Sequence, residues 1–293
     1  MRRQSKSILF FLMSFMIADA QASQVQKQPD AKVVYGDDDR IDYYQVPSFQ
    51  DRELMESTVA FVMNDAFESV NDHQTRLKSR SLASYLSLCP GEAFGSQPTA
   101  AFCTGFLVRD NLVATAGHCV SVRDCSSKSV VFGFHFKALN EDPTVVENEN
   151  IYRCTEVIAN ELTGAQDYAL IRLDRPVKGF KPLILANKSA NPGQSVFVVG
   201  HPSGIPAKLA SAAEVRLTTQ GYFKANLDTF GGNSGSPVFD AESRQVLGIL
   251  VRGERDYKYD GVKQCNRVNK CPSTGCSGED VTHIEYINKL LSK

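Results

Sequence analysis

Short apolar segments alternate with polar turns along most of this chain. Two of them, 102–108 and 112–116, are separated by Arg109-Asp110-Asn111, a pattern that predicts a β-hairpin. Further short strands are predicted at 129–136, 152–158, 168–173, 195–199, 214–218, 221–227, 237–239 and 246–251. Because the strands are short and are punctuated by Gly and Pro, the pattern favours antiparallel barrels or a sandwich over a βαβ sheet.

The two ends of the chain follow other patterns. Near the C-terminus, Ile284, Ile287 and Leu291 recur at three- and four-residue steps, which predicts a helix that packs one apolar stripe on the body. Residues 23–56 are polar and show no sustained hydrophobic periodicity. The segment is compatible with a propeptide or with a strap over the surface. The polar stretch 64–87 is compatible with helix or loop.

The first residues resemble a targeting segment. A positively charged start is followed by an apolar run at 8–18 and by the small-residue site Ala20-Gln21-Ala22. This predicts a signal peptide over 1–22, with a buried amphipathic helix as the alternative. We therefore expect a secreted protein, extracellular or periplasmic, that does not stay at the membrane after signal removal.

Composition narrows the classes of partner and cofactor. The formal net charge of the 293-residue chain is −1, so no global basic field favours nucleic acid. The eight cysteines are an even number, which in an oxidising compartment predicts disulfides. A metal site at Cys265, Cys271, Cys276 and His283 would not have the spacing of a zinc motif. We expect neither a metal nor another cofactor.

The most informative segment is 231–237, Gly-Gly-Asn-Ser-Gly-Ser-Pro. Glycines on both sides of Ser234 leave a bare backbone whose amides can converge on one point. The N–H groups of Gly232 and Ser234 are the candidate oxyanion hole, which stabilises negative charge on a carbonyl oxygen.

A serine hydroxyl needs a base to become a nucleophile at neutral pH, and a histidine base needs a carboxylate to orient it. His118, in Thr-Ala-Gly-His-Cys, is the candidate base, and Asp167, at the head of an apolar strand, is the candidate orienting group. The order His118, Asp167, Ser234 is that of the chymotrypsin group, whereas subtilisins and α/β-hydrolases have other orders.

On these motifs the chain resembles the trypsin/chymotrypsin-like serine peptidases, and most closely the bacterial glutamyl-endopeptidase branch. Segment 33–40 is similar to the mature amino terminus of that branch, so the mature protein is expected to start at Val33, after a cut behind Lys32. Segments 200–202 and 228–239 continue the resemblance.

The resemblance implies an all-β fold of two packed six-stranded antiparallel barrels with a C-terminal helix. The first barrel, expected over 57–180, would carry His118 and Asp167. The second barrel and the helix, expected over 181–293, would carry Ser234. The resemblance also implies a disulfide between Cys103 and Cys119. It does not assign the connectivity of the other six cysteines.

The implied activity is endopeptidase action on protein or peptide substrates by a monomer, through an acyl-enzyme. Asn233 replaces the Asp that precedes the nucleophile in trypsin-like enzymes, so the activating ion pair of that group cannot form. Asp228 stands at the offset of the trypsin pocket acid, which favours Arg or Lys at the first substrate site.

Other candidate pocket residues are Thr229, Leu250 and Arg252. Leu250 stands where the glutamyl branch has a histidine, which argues against glutamate specificity. The alternatives are a glutamate-specific peptidase, a narrow processing or toxin-like peptidase, and a noncatalytic binding module of the same fold.

Overall fold

The computed structural model describes residues 33–293, so the predicted signal peptide and the rest of 1–32 lie outside the described residues. The described part begins with strands β1 (Val34–Tyr35) and β2 (Ile41–Asp42) and helix α1 (Phe49–Glu56). The Ser48 side chain accepts a hydrogen bond from Asp51 N and so caps α1. This segment, predicted as a propeptide or strap, is therefore built into the fold from Val33 onward, and Val33 is fully buried.

Six strands between Thr58 and Leu173 close into the first barrel, in the order β10-β12-β13-β9-β8-β3. Polar segments between them form a side sheet of β11, β5 and β4, a small β6–β7 pair and helix α2. The elements are β3 (Thr58–Met63), β4 (Phe67–Ser69), β5 (Gln74–Leu77), β6 (Arg80–Ser81), α2 (Leu82–Leu86), β7 (Pro98–Thr99), β8 (Cys103–Arg109), β9 (Leu112–Thr115), β10 (Lys128–Val131), β11 (Val145–Glu147), β12 (Ile151–Leu162) and β13 (Asp167–Leu173).

The second barrel is built from six of the remaining strands in the order β14-β17-β18-β22-β16-β15, and pairing of β14 with β15 closes it. Outside the barrel, β19 pairs with β20, and β21 pairs with β1. Strand β2 of the N-terminal segment adds to β15. The elements are β14 (Ser195–Gly200), β15 (Lys208–Thr218), β16 (Tyr222–Ala225), β17 (Pro237–Asp240), β18 (Val246–Arg252), β19 (Tyr257–Asp260), β20 (Cys265–Val268), β21 (Lys270–Cys271), β22 (Glu279–His283) and helix α3 (Glu285–Leu291).

These elements confirm the predicted fold class of two six-stranded antiparallel barrels followed by a C-terminal helix. The largest buried apolar cluster runs through both barrels, from Phe106 and Leu170 to Val198 and Ile249. In α3, Ile287 is fully buried, as the apolar stripe predicts. No helix within residues 33–293 is long and apolar enough to cross a membrane.

Candidate active site

His118 and Asp167 meet on the first barrel. His118 lies in the short 3₁₀ turn that follows β9, and Asp167 is the first residue of β13, which pairs with β9. The Nδ1 atom of His118 lies 2.7 Å from Oδ2 of Asp167, and the backbone N–H of His118 donates to Oδ1 over 3.1 Å. The Asp167 side chain is 5 % exposed and that of His118 is 22 % exposed. The imidazole is thus oriented by a buried carboxylate while part of the ring reaches solvent.

Two further side chains hold this pair in place. The Asn160 amide donates to the carbonyls of Gly117 and Val120, each over 2.6 Å, and so fixes the turn that carries His118. From the second barrel, Thr282 accepts a hydrogen bond from Asp167 N at 3.3 Å. Their bonds join residues far apart in sequence, so no local pattern identified Asn160 or Thr282 as part of the site.

The serine segment of the second barrel is held by Thr104 of β8, in the first barrel. The Thr104 N–H donates to the carbonyl of Ser234 over 2.8 Å, and its hydroxyl donates to the carbonyl of Gly232, also over 2.8 Å. Gly232 has φ +91°, and a Cβ there would lie 2.5 Å from the carbonyl oxygen of His201. The chain thus needs glycine at 232 for this turn.

His118, Gly232 and Ser234 line one cleft of about 510 Å³, together with the Cys103–Cys119 bridge. A second cleft of about 1110 Å³ continues from it and shares Phe102 and Gly232 among its lining residues. The predicted base, the predicted nucleophile and the predicted oxyanion amides, contributed by both barrels, therefore border one continuous groove.

Asp228 is buried, and its carboxylate contacts the N-terminal segment. Tyr35 N donates to Oδ1 over 2.6 Å, and Asp39 N donates to Oδ2 over 3.3 Å. Burial raises the pKa of Asp228 to about 7, and the nearby Asp39 charge acts in the same direction. In this arrangement Asp228 braces the backbone of residues 35–39.

The other three candidate pocket residues differ in exposure. Thr229 is fully buried, and its hydroxyl donates to Oε2 of Glu279 over 3.0 Å. Leu250 is fully buried in β18. Arg252 lines the larger cleft, and its guanidinium is paired with Asp280 at 3.0 Å.

All eight cysteines lie in the described part of the chain and are paired in four disulfides: Cys89–Cys265, Cys103–Cys119, Cys125–Cys154 and Cys271–Cys276. The bridge expected from the family resemblance, Cys103–Cys119, joins β8 to the turn that carries His118. Within residues 33–293, Cys103, His118 and Cys119 form a group with potential metal-ligand atoms close together. Its two cysteines share a disulfide and so offer no thiolate to a metal.

Two barrels with a serine and a histidine along their common groove, and a buried aspartate bonded to that histidine, define a class, the chymotrypsin-like serine peptidases. A family model described as trypsin-like peptidase domain matches residues 103–249, just over half of the chain. This chain belongs to the trypsin-like peptidase family and is a serine endopeptidase.

Individual relatives agree with that assignment. Human granzyme B is 29 % identical over 248 residues, which cover 78 % of this chain and 93 % of granzyme B. Alpha-fibrinogenase albofibrase of Trimeresurus albolabris is 27 % identical over 183 residues, 53 % of this chain and 68 % of that enzyme. Among solved structures, a Glu endopeptidase matches with a TM-score of 0.53 and 18 % identity, covering 89 % of this chain and 100 % of the other. At this level of sequence identity, the structural match to the Glu endopeptidase shows the fold alone.

Proposed function

We propose that this chain is a secreted endopeptidase that cleaves peptide bonds through Ser234, His118 and Asp167 by way of an acyl-enzyme. The observation that carries the proposal is the 2.7 Å contact between His118 Nδ1 and Asp167 Oδ2, on a ring that borders the same cleft as Ser234. The contact to Asp167 engages Nδ1 as the donor, which leaves Nε2 as the base.

In the proposed first step, Ser234 Oγ attacks the carbonyl carbon of the substrate while His118 Nε2 accepts the hydroxyl proton. Collapse of the tetrahedral intermediate breaks the C–N bond, and His118 returns that proton to the leaving amine. A water molecule then attacks the ester of Ser234, again with His118 as base, and releases the acid. Asp167 holds the ring and stabilises its cationic form without taking the proton.

The negative charge on the carbonyl oxygen would be met by the N–H groups of Gly232 and Ser234. Support comes from the rigid attachment of this segment: Thr104 binds both the Gly232 and the Ser234 carbonyl, which orients the backbone between them. Preorganised donors of this kind need no reorganisation during the reaction.

We further propose that this peptidase cleaves its substrates after Arg or Lys, the residue at the first substrate site. We also propose that its own maturation exposes Val33 by a cut after Lys32. Val33 is fully buried, and its carbonyl accepts a hydrogen bond from Thr229 N over 3.3 Å. Intact-mass analysis of active enzyme tests the maturation step; active protein that retains residues before Val33 would contradict it.

Secretion is supported by the predicted signal peptide and by the four disulfides, which persist in oxidising compartments. Expression of the full chain, followed by assay of the medium or periplasm, tests it. Enzyme retained in the cytoplasm would contradict the proposal.

The decisive experiment is Ser234→Ala. We expect loss of peptide cleavage and of labelling by a fluorophosphonate probe, with an unchanged circular dichroism spectrum, because only one oxygen atom is removed. Wild-type protein that cleaves no peptide and stays unlabelled would favour the noncatalytic binding module. Full cleavage by Ser234→Ala would contradict the assignment of the nucleophile.

A further inference from the structure

The N-terminal segment is bonded to the stretch of main chain that leads to the proposed nucleophile. Asp228 accepts hydrogen bonds from the amides of Tyr35 and Asp39, over 2.6 and 3.3 Å. The next residue, Thr229, donates its N–H to the carbonyl of Val33 over 3.3 Å. Two successive residues before the serine motif are therefore held by a part of the chain that lies far earlier in the sequence.

Arg40 extends this attachment to the following residue, Phe230. The guanidinium carbon of Arg40 lies 4.1 Å from the centre of the Phe230 ring, which is within the range of a cation–π contact. Asp38 accepts two hydrogen bonds from the same guanidinium, over 2.7 and 2.6 Å. The Arg40 side chain is 1 % exposed and Phe230 is 2 % exposed. A buried cation with two partners stays in one position, so it also fixes the ring on which it lies.

Phe230 is the first residue of the turn that carries the proposed oxyanion amide. Its carbonyl accepts a hydrogen bond from Asn233 N over 2.9 Å, which closes a four-residue turn with Gly231 and Gly232 at its centre. The two glycines have no side chain that could anchor the turn. A shift of Phe230 therefore passes along the main chain to the N–H of Gly232.

We propose that Arg40 is a positioning residue for the oxyanion hole. Its guanidinium fixes Phe230 and thereby keeps the Gly232 N–H directed at the substrate carbonyl. The activating ion pair of trypsin-like enzymes cannot form with Asn233, so the N-terminal segment orders the serine motif through Arg40 instead. This inference rests on the proposed peptidase function and gives a side chain outside the groove a role in that reaction.

The test is Arg40→Met, which keeps a long side chain and removes the cation. Steady-state kinetics are measured on folded enzyme whose N-terminus is verified by intact mass. We expect kcat to fall by about tenfold to a hundredfold while KM changes by less than about twofold, because the oxyanion exists only in the transition state. Arg40→Lys keeps a cation near the ring and should recover part of the lost kcat.

A peptide aldehyde reports on the oxyanion amides directly. The hydroxyl oxygen of Ser234 adds to the aldehyde carbon, the hydroxyl proton passes to His118, and the former carbonyl oxygen becomes the oxyanion. The inhibition constant of the aldehyde should therefore weaken in Arg40→Met in proportion to kcat/KM. A purely structural role of Arg40 would lower the free energy of unfolding and leave the aldehyde affinity of the folded enzyme unchanged.

The matched control is Arg175→Met. Arg175 also lies over a buried ring, 3.9 Å from the centre of Tyr152, and pairs with a carboxylate, Asp174, at 3.1 Å. Tyr152 belongs to β12 of the first barrel and is not part of the serine motif. The control should lower stability and leave kcat unchanged. An equal fall of kcat in the two variants would overturn the proposal.

Phe230→Leu tests the route from Arg40 to the turn. The change keeps an apolar side chain and removes the ring face, so kcat should fall as it does in Arg40→Met. If both residues act through one contact, the double variant should lose no more kcat than the slower single variant. Losses that multiply in the double variant would overturn the proposed route.

Asp38→Asn covers the case in which Arg40→Met does not fold. It keeps the guanidinium and removes the charge that holds it, so kcat should fall at least about threefold, because a charge-assisted hydrogen bond is roughly twice as strong as a neutral one. Wild-type kcat in folded Asp38→Asn or Arg40→Met would overturn the positioning role alone. Wild type that cleaves no peptide and is not labelled by fluorophosphonate would instead refute the proposed function.

Discussion

Thr104 connects the two barrels at the proposed nucleophile. The residue is fully buried and uses its N–H for the Ser234 carbonyl and its hydroxyl for the Gly232 carbonyl, while the hydroxyl also accepts from His201 N over 3.1 Å. Two of these hydrogen bonds hold the proposed oxyanion segment, and the third links the same hydroxyl to His201. The residue lies on β8 beside the Cys103–Cys119 bridge, so the bridge stabilises the same contact.

Gly232→Ala tests how far catalysis depends on that segment. The positive φ and the approach of the His201 carbonyl exclude a Cβ, so the amide of residue 232 should rotate away from its donor position. We expect kcat to fall by about a hundredfold or more, the effect of losing one oxyanion donor. Steady-state kinetics on a peptide substrate provides the measurement.

The control is Gly91→Ala, at a glycine with a similar φ of +88° but nothing within 4 Å of an added Cβ. It carries the same backbone strain away from the groove, so it should lower stability slightly and leave kcat unchanged. Equal kcat values for the two variants would contradict the role assigned to Gly232.

Among the elements, the segment around α2 and the β19–β20 hairpin are joined across the molecule. Cys89, just after α2, is bridged to Cys265 at the start of β20, 176 residues later. Asn266 N donates to Ser87 O, and Cys89 N donates to Asn266 O, so backbone bonds reinforce the link. Both elements border the larger cleft through residues such as Leu86 and Tyr257. The bridge therefore holds two walls of the groove together.

Replacing Cys89 and Cys265 by Ser should lower the free energy of unfolding by about 3–5 kcal/mol, because the bridge closes a long loop. The double variant Cys271→Ser, Cys276→Ser is the control, since its bridge spans only five residues and constrains the unfolded chain less. Urea unfolding monitored by fluorescence provides both values. A larger loss in the control would contradict the loop-length argument.

Strand prediction succeeded where apolar runs are short and bounded by turns, as in β8, β9, β13, β14 and β18. It missed β22, Glu279–His283, because this strand has charged residues at positions that face other buried groups instead of solvent. The polar stretch 64–87 contains β4 to β6 and α2, whose pairing partners β11 and β7 lie elsewhere in the chain. These strands form because they pair with other strands, so the local hydrophobic periodicity did not predict them.

For the molecule as a whole, two buried histidines contribute to the pH dependence of stability. His135 stacks on Tyr43 at 4.0 Å, and His201 stacks on Phe134 at 5.7 Å. Burial lowers the pKa of each histidine from 6.5 to about 3. Between these values the unfolded chain binds protons that the folded protein does not. The contribution of each histidine to the free energy of unfolding is therefore highest above pH 6.5 and falls as pH decreases towards 3, by up to about 1.4 kcal/mol per pH unit.

Asp228 acts in the opposite direction over nearly the same range. Burial raises its pKa from 3.8 to about 7, so its contribution is complete below pH 3.8 and is lost as pH rises through 7. In acid, the two histidines lower the free energy of unfolding and Asp228 raises it. Because two residues oppose one, the sum for these three residues is a loss of stability as pH decreases.

His135→Gln should reduce the slope of stability against pH between pH 4 and 6, because one of the two buried imidazoles is gone. Urea unfolding at several pH values measures the slope. His73→Gln, at an exposed histidine, is the matched control and should leave the slope unchanged. A slope equal to that of wild type in His135→Gln would show that this histidine does not link folding to pH.

The sequence by itself determined the fold class and the peptidase family, because both depend on local patterns: short apolar strands, and the motifs around His118 and Ser234. Only the tertiary structure brought Thr104, Asn160 and Thr282 to the site, since each acts through a contact with residues distant in the chain. A threonine or an asparagine on a strand has no local signature for such a role. Thr104 gains it when the two barrels pack together and its N–H meets the carbonyl of Ser234.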